Sequence, residues 1–245
     1  MVELWVATGE GASGGPEVRS LQTARAHDGC TTAVASSPSH PNAFVSGGAD
    51  GRVRFWDAST VKLVASVDHA HVGGVAGVAV HPVEGHTVAT VGGDGAVRVW
   101  DARAAAADGK PALHRAGDDI RRRMGKATAV EWCRAGACVA AGYEAGEVCF
   151  LDVDAGELHT RGVVRAHEDA VRALAWDDTS QRLASCGDDH VTACHSGEVP
   201  TTAAVRAHGE NYARAVAWGA ARPGGEDARV LYSGGWDGAV RTVVV

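Results

Sequence analysis

Four sets of side chains in this sequence combine an imidazole, a hydroxyl and a carboxylate at nearly constant spacing: His27, Ser46 and Asp50; His71, Thr90 and Asp94; His167, Ser185 and Asp189; His208, Ser233 and Asp237. A hydrolase triad uses these residue types, the imidazole taking a proton from the hydroxyl while the carboxylate orients the ring. Nucleophilic catalysis needs one such set in one cleft. Here the set is written four times at a fixed place, and the recurrence predicts a structural use, a buried network in which each polar group satisfies the next. Trp56 and Trp100 follow the first two sets and extend them with an indole donor. A glycine-rich stretch, Gly9-Glu-Gly11-Ala-Ser13-Gly14-Gly15, matches both a dinucleotide fingerprint and a nucleophile elbow. Both of those require a helix at once, whereas Pro16 and the strand-like Val18–Thr23 follow, so this stretch is expected to be a hairpin loop. The six cysteines (30, 133, 138, 149, 186, 194) include no Cys-x-x-Cys pair, which predicts free buried thiols without a metal or a disulfide. No cofactor is expected.

The elements that must carry these residues are strands and tight turns. Ser46-Gly-Gly-Ala-Asp50-Gly-Arg-Val-Arg-Phe-Trp56-Asp57 returns 44 residues later as Thr90-Val-Gly-Gly-Asp94-Gly-Ala-Val-Arg-Val-Trp100-Asp101. Asp beside Gly suits a turn that needs positive φ, and the alternation that follows suits a pleated strand. Upstream stand His27 and His71, again 44 apart. The third unit keeps Ala127–Cys133, Cys138–Ala141 and Gly146–Asp152, with Glu144 in the turn and Phe150 where Trp stands elsewhere. In the fourth His195 takes the Trp place, and in the fifth Val243 does. The stretch 103–126 is the widest excursion between units. Its Arg121, Arg122, Arg123 and Lys126 read as a solvated loop, with contact to an acidic partner as the alternative, and no interleaved aromatics stand there to stack on bases. Gly219–Asp227 reads as a surface loop.

Repeats of about 40 to 45 residues with a His near the start and Trp-Asp at the end resemble the WD40 family. That resemblance implies an all-β fold, a WD40 β-propeller with five recognisable repeats (about 27–70, 71–115, 116–166, 167–207 and 208–245) behind a partial N-terminal blade at 1–26, in one domain over 1–245. Val2–Thr8 is similar to the third strand of a blade, so the array looks like a shortened form of the family's seven-bladed ring, and apolar faces near Trp5 and Val240–Val245 are expected to be exposed. The order of Lys126-Ala-Thr-Ala-Val-Glu-Trp132, Gly142–Asp152, Ala166–Val171, Ala215–Trp218 and Gly235-Trp236-Asp237 is similar to the WD-repeat subunits of the methylosome. This implies a non-enzymatic scaffold that holds basic proteins such as histones and spliceosomal Sm proteins near an arginine methyltransferase. A generic WD40 adaptor, such as a ubiquitin-ligase substrate receptor or a ribosome-assembly scaffold, is the alternative.

The bulk numbers fit a protein-binding role. Net charge is −7 with a pI near 5.9, which repels phosphate backbones, argues against direct nucleic-acid contact and favours basic protein partners. No run of 18 apolar residues and no charged-then-apolar leader occur, so neither a membrane span nor a secretion signal is expected, and the chain reads as cytoplasmic, nuclear or both.

In a WD40 blade the residue before the turn acid, and those at the start of the first strand, lie at the rim of one face. In the first two repeats these places hold Ala49, Gly93, Cys30, Gly74 and Ala76. In the last three they hold Tyr143, Asp188 and Trp236 before the turns, and Arg172, Tyr212 and Arg214 at the strand starts. Aromatic residues and Arg dominate interface hot spots, because they join large buried area to directed hydrogen bonds. Tyr143, Arg172, Asp188, Tyr212, Arg214 and Trp236 are therefore expected to form a partner-binding patch.

Overall fold

The computed structural model describes residues 2–10, 16–104, 113–115, 122–154, 157–196, 202–219 and 229–244. Within them run 21 strands in six antiparallel sheets, in chain order. A hairpin of β1 (Val2–Glu10) and β2 (Pro16–Ala24) comes first. The first repeat is β3 (Thr31–Ser36), β4 (Ala43–Gly48), β5 (Val53–Asp57) and β6 (Lys62–Val67), and the second is β7 (Val75–Val80), β8 (Thr87–Gly92), β9 (Val97–Asp101) and β10 (Leu113–Arg115). The third is β11 (Ala127–Cys133), β12 (Cys138–Tyr143), β13 (Glu147–Asp154) and β14 (Glu157–Arg165), and the fourth is β15 (Val171–Asp177), β16 (Arg182–Gly187), β17 (Thr192–Ser196) and β18 (Thr202–Val205). The fifth has three strands, β19 (Ala213–Gly219), β20 (Val230–Gly235) and β21 (Val240–Val244). Each sheet is a meander, the arrangement of WD40 β-propeller blades.

Turn chemistry explains the hairpins between second and third strands. Gly51, Gly95, Gly146 and Gly238 all adopt positive φ, between 71° and 90°. A side chain at Gly51 would also press within 2.5 Å of the His71 carbonyl of the next repeat. The fourth repeat departs from this rule, because His190 holds φ 70° in the same place, a conformation that disfavours any residue with a Cβ.

The core lies between sheets. Val45, Phe55, Val67, Val75, Val88 and Trp100 join the first repeat to the second; Val91, Val97, Trp132, Val139, Tyr143 and Leu151 join the second to the third; Cys133, Val148, Val171, Leu174 and Leu183 join the third to the fourth. Recurrent polar pins cross the same seams. Thr32 and Thr128 donate to the carbonyls of Val75 and Val171 at 2.6 Å, and the indoles of Trp132 and Trp218 donate to Ala79 and Ala175 at 3.0 Å. Val34 in the first repeat and Val240 in the fifth are 56% and 77% exposed, so the outward faces of these two sheets are less covered than the seams. The side chain of Trp5 lies outside those described, as do Arg121, residues 11–15 of the glycine-rich stretch and residues 220–228.

Two sequence assignments in the third repeat need correction. Ala145, not Glu144, stands in the place of the turn acids, since the Gly146 amide bonds the Tyr143 carbonyl as Gly51 bonds Gly48 and Gly238 bonds Gly235. Leu151, not Phe150, stands in the Trp place: the β12–β13 register pairs Val139 with Leu151, as Phe44 pairs with Trp56 and Val88 with Trp100. A one-residue offset in a strand sends the side chain to the other face. Leu151 is fully buried against the second repeat, and Phe150 packs toward the fourth.

Candidate functional site

Two constellations emerge, one closed and one open. In the closed one, His27 Nδ1 lies 2.9 Å from Asp50 and its Nε2 lies 2.8 Å from Ser46 Oγ, which also receives the Trp56 indole N–H at 2.9 Å. The second repeat repeats this with His71, Asp94, Thr90 and Trp100 at 2.8, 2.8 and 2.7 Å. An indole nitrogen can only donate, so the hydroxyl hydrogen is left for His Nε2 and the His27 ring presents Nδ1–H to its carboxylate; His71 Nδ1 also lies 2.8 Å from Arg98 Nη1, itself only a donor. His167, Asp189 and Ser185 form the same chain at 2.9 and 2.8 Å, with His195 Nε2 at 2.9 Å from Ser185 in place of the indole. His208, Asp237 and Ser233 form it at 2.9 and 3.0 Å. The third repeat lacks the polar set, and Met124, Tyr143 and Leu151 fill the volume with apolar packing.

Each turn carboxylate also accepts backbone amides: Asp50 takes those of Asp28 and Arg52, and Asp94 those of Val72 and Ala96. Burial pushes the Asp94 carboxyl up, but His71 and Arg98 outweigh it and hold the group well below the usual carboxylate range. Burial pulls the His71 ring down, with Asp94 partly opposing. Burial, aided by the neighbouring His167, brings His195 down to about 4. Ser46, Thr90 and Ser185 are wholly buried and Ser233 nearly so. No substrate can reach these hydroxyls in the folded chain, so the arrangement locks each outer turn to the inner strands.

The open constellation lies on the fourth and fifth repeats, at the sheet ends that carry these turns. Arg172 donates through Nε to Asp188 Oδ2 at 2.8 Å and also through Nη2, and the bond raises the Arg172 pKa. Arg214 Nη1 approaches the other oxygen of Asp188 at 3.3 Å. The Arg214 guanidinium sits 4.4 Å from the Trp236 ring centre and 5.3 Å from that of Tyr212. Trp236 meets Tyr212 edge-on at 5.1 Å, and His190 stacks on Tyr212 at 5.3 Å. Trp236 is nonetheless 66% exposed, while Arg214 Nε and His190 Nδ1 are buried without a hydrogen-bond partner.

Of the six residues expected to form this patch, five come together. Tyr143 does not: it is fully buried in the core shared with the second repeat, its hydroxyl 3.5 Å from the Gly95 carbonyl. Sequence reasoning missed His190. Its signal was the break in the turn rule, Asp189-His190 where the other turns place glycine at positive φ. Of the basic run, Arg122 and Arg123 are exposed, and Lys126 pairs with Glu144 at 3.3 Å. Among the described residues no group of three or more His, Cys, Asp or Glu is arranged to hold a metal ion, and no helix is long and apolar enough to cross a membrane.

Residues 18–57, 62–101 and 158–193 match the family model described as WD domain, G-beta repeat. The three stretches contain the histidine networks of the first, second and fourth repeats, except His195, which stands two residues beyond the third stretch. No curated protein matches the chain.

Proposed function

We propose that this chain of WD40 repeats is a non-catalytic protein-interaction scaffold, and that a protein partner docks on Arg172, Asp188, His190, Tyr212, Arg214 and Trp236. One observation carries this reading: a mostly exposed Trp236 is held in place by Arg214 and Tyr212. A large rigid aromatic beside a charge-paired arginine has the composition of an interface hot spot. His190 adds support, because a non-glycine residue held at positive φ is a strain that clusters at functional sites.

The partner class we propose is a basic protein, matched to the net charge of −7, with an arginine methyltransferase as the enzyme served, in the cytoplasm or nucleus. The motif order similar to methylosome WD-repeat subunits supports this assignment. Affinity capture with the intact chain tests it: recovery of a methyltransferase is expected, and recovery of a cullin adaptor instead would replace it with the ubiquitin-ligase reading. With the captured partner in hand, Trp236→Ala and Arg214→Ala should each weaken binding by about 2 kcal/mol while the circular dichroism spectrum is unchanged. Normal binding by both variants would move the docking face elsewhere.

A further inference from the structure

Cys133 closes β11 and Cys138 opens β12, and the ladder sets them directly opposite one another. Residues opposite each other in an antiparallel pair have Cα atoms about 4.5 to 5.5 Å apart, inside the roughly 4.4 to 6.8 Å that a disulfide spans. Both side chains point to the same face, into the cluster with Val148, Leu174 and Leu183. No other cysteine of a described ladder has such a neighbour: Cys149, Cys186 and Cys194 stand opposite Ala141, Ala173 and Ala184. The short turn between the pair, Arg134–Gly136, carries Ala135 at φ 53° and Gly136 at φ 98°. It brings the chain back tightly enough to hold the sulfurs side by side.

We propose that Cys133 and Cys138 form a redox-modifiable dithiol, which a small peroxide closes to a cross-strand disulfide at the neck of this hairpin. The two sulfurs are chemically unequal. Burial pushes the Cys133 thiol well up, whereas the hydrogen bond from Cys133 outweighs burial and holds Cys138 below its usual value, with the Arg161 charge helping. Cys138 is thus the thiolate that attacks first. Its sulfur takes one oxygen of hydrogen peroxide as the O–O bond breaks, giving a sulfenic acid and a hydroxide that leaves as water. Cys133 then loses its proton and attacks that sulfur. The S–O bond breaks, the S–S bond forms, and a second water departs. The balance is two thiols and one peroxide in, one disulfide and two waters out. Both thiols are 1% exposed, so the reaction waits on local opening of the hairpin end, where Ala135 and Ala137 already face solvent.

The test treats the intact folded chain with hydrogen peroxide, blocks remaining thiols with an alkylating reagent under denaturing conditions, and maps the peptides by mass. The expected result is a fall from six alkylatable cysteines to four, with a 133–138 disulfide that a dithiol reductant reverses. In Cys133→Ser, a dione probe for sulfenic acid should label Cys138. The proposal is overturned if six thiols survive, if Cys133 and Cys138 go directly to sulfinic acids, or if the disulfide joins another pair. The wild-type measurement stands even if the variant fails to fold.

Discussion

Tyr143 and Trp236 each precede an acid, Glu144 and Asp237, yet the ladders set them one place apart, Tyr143 opposite Ala127 as Gly235 is opposite Ala213, and they meet opposite fates. Tyr143 is wholly buried, and Trp236 is 66% exposed. The difference lies in that one-residue offset and in the neighbouring repeat. Tyr143 reaches the turn of the second repeat, where Gly93, Gly95 and Ala96 leave room for a ring beside the Gly95 carbonyl. Trp236 faces the fourth repeat, whose turn carries Asp188 and His190, and the ring of Tyr212 is already stacked on His190. Trp236 is left at the surface with Arg214 on it. Register along the hairpin and the volume offered by the next repeat together decide whether an aromatic stabilises the fold or meets a partner.

Truncation separates the two roles most sharply. Tyr143→Ala should destabilise the protein by about 3 to 5 kcal/mol, the usual loss for emptying a buried aromatic site, read as a lower urea midpoint. A loss below about 1 kcal/mol would show that the second repeat does not hold the ring.

The histidine networks give the next contrast, because the fourth repeat uses His195 where the second uses Trp100. The folded pKa of His195, about 4, lies below its ordinary 6.5, so the unfolded chain takes a proton first as pH falls. Stability is therefore whole above about pH 6.5 and is lost between there and about pH 4, by about 3 kcal/mol for this group. Urea midpoints measured across that window should fall less steeply in His195→Gln than in the wild type. Equal slopes would mean that His195 takes up its proton in the folded state as readily as in the unfolded one. Asp94→Ala, which removes the acceptor of the second network, should lower stability by about 1 to 3 kcal/mol and Tm by several degrees. An unchanged Tm would deny the network a stabilising part.

The smallest effect is expected at the other member of the opening pair. Trp236→Ala should change stability by no more than about 0.5 kcal/mol, as exposed substitutions commonly do. A large loss of stability would make Trp236 a packing residue like Tyr143 and remove the reason to place a partner there.

Much of this architecture was legible locally. Asp-Gly turns, alternating Val-Arg-Val-Trp strands and histidines 19 residues before a hydroxyl and 23 before an acid are encoded within one repeat, because hairpin geometry and cross-strand register are set by neighbours in sequence. Leu151 was misread as Phe150 by a single position, and only the ladder, which pairs it with Val139, resolves which face each side chain takes. Sequence alone determined the strands, the turns and the membership of the four networks. Tertiary structure decided the fate of Tyr143, the gathering of His190 with Tyr212, Arg214 and Trp236, and which outward faces stay uncovered. Those outcomes depend on the space left by a repeat some 40 to 50 residues away, and side-chain burial at a seam is a property of two sheets at once.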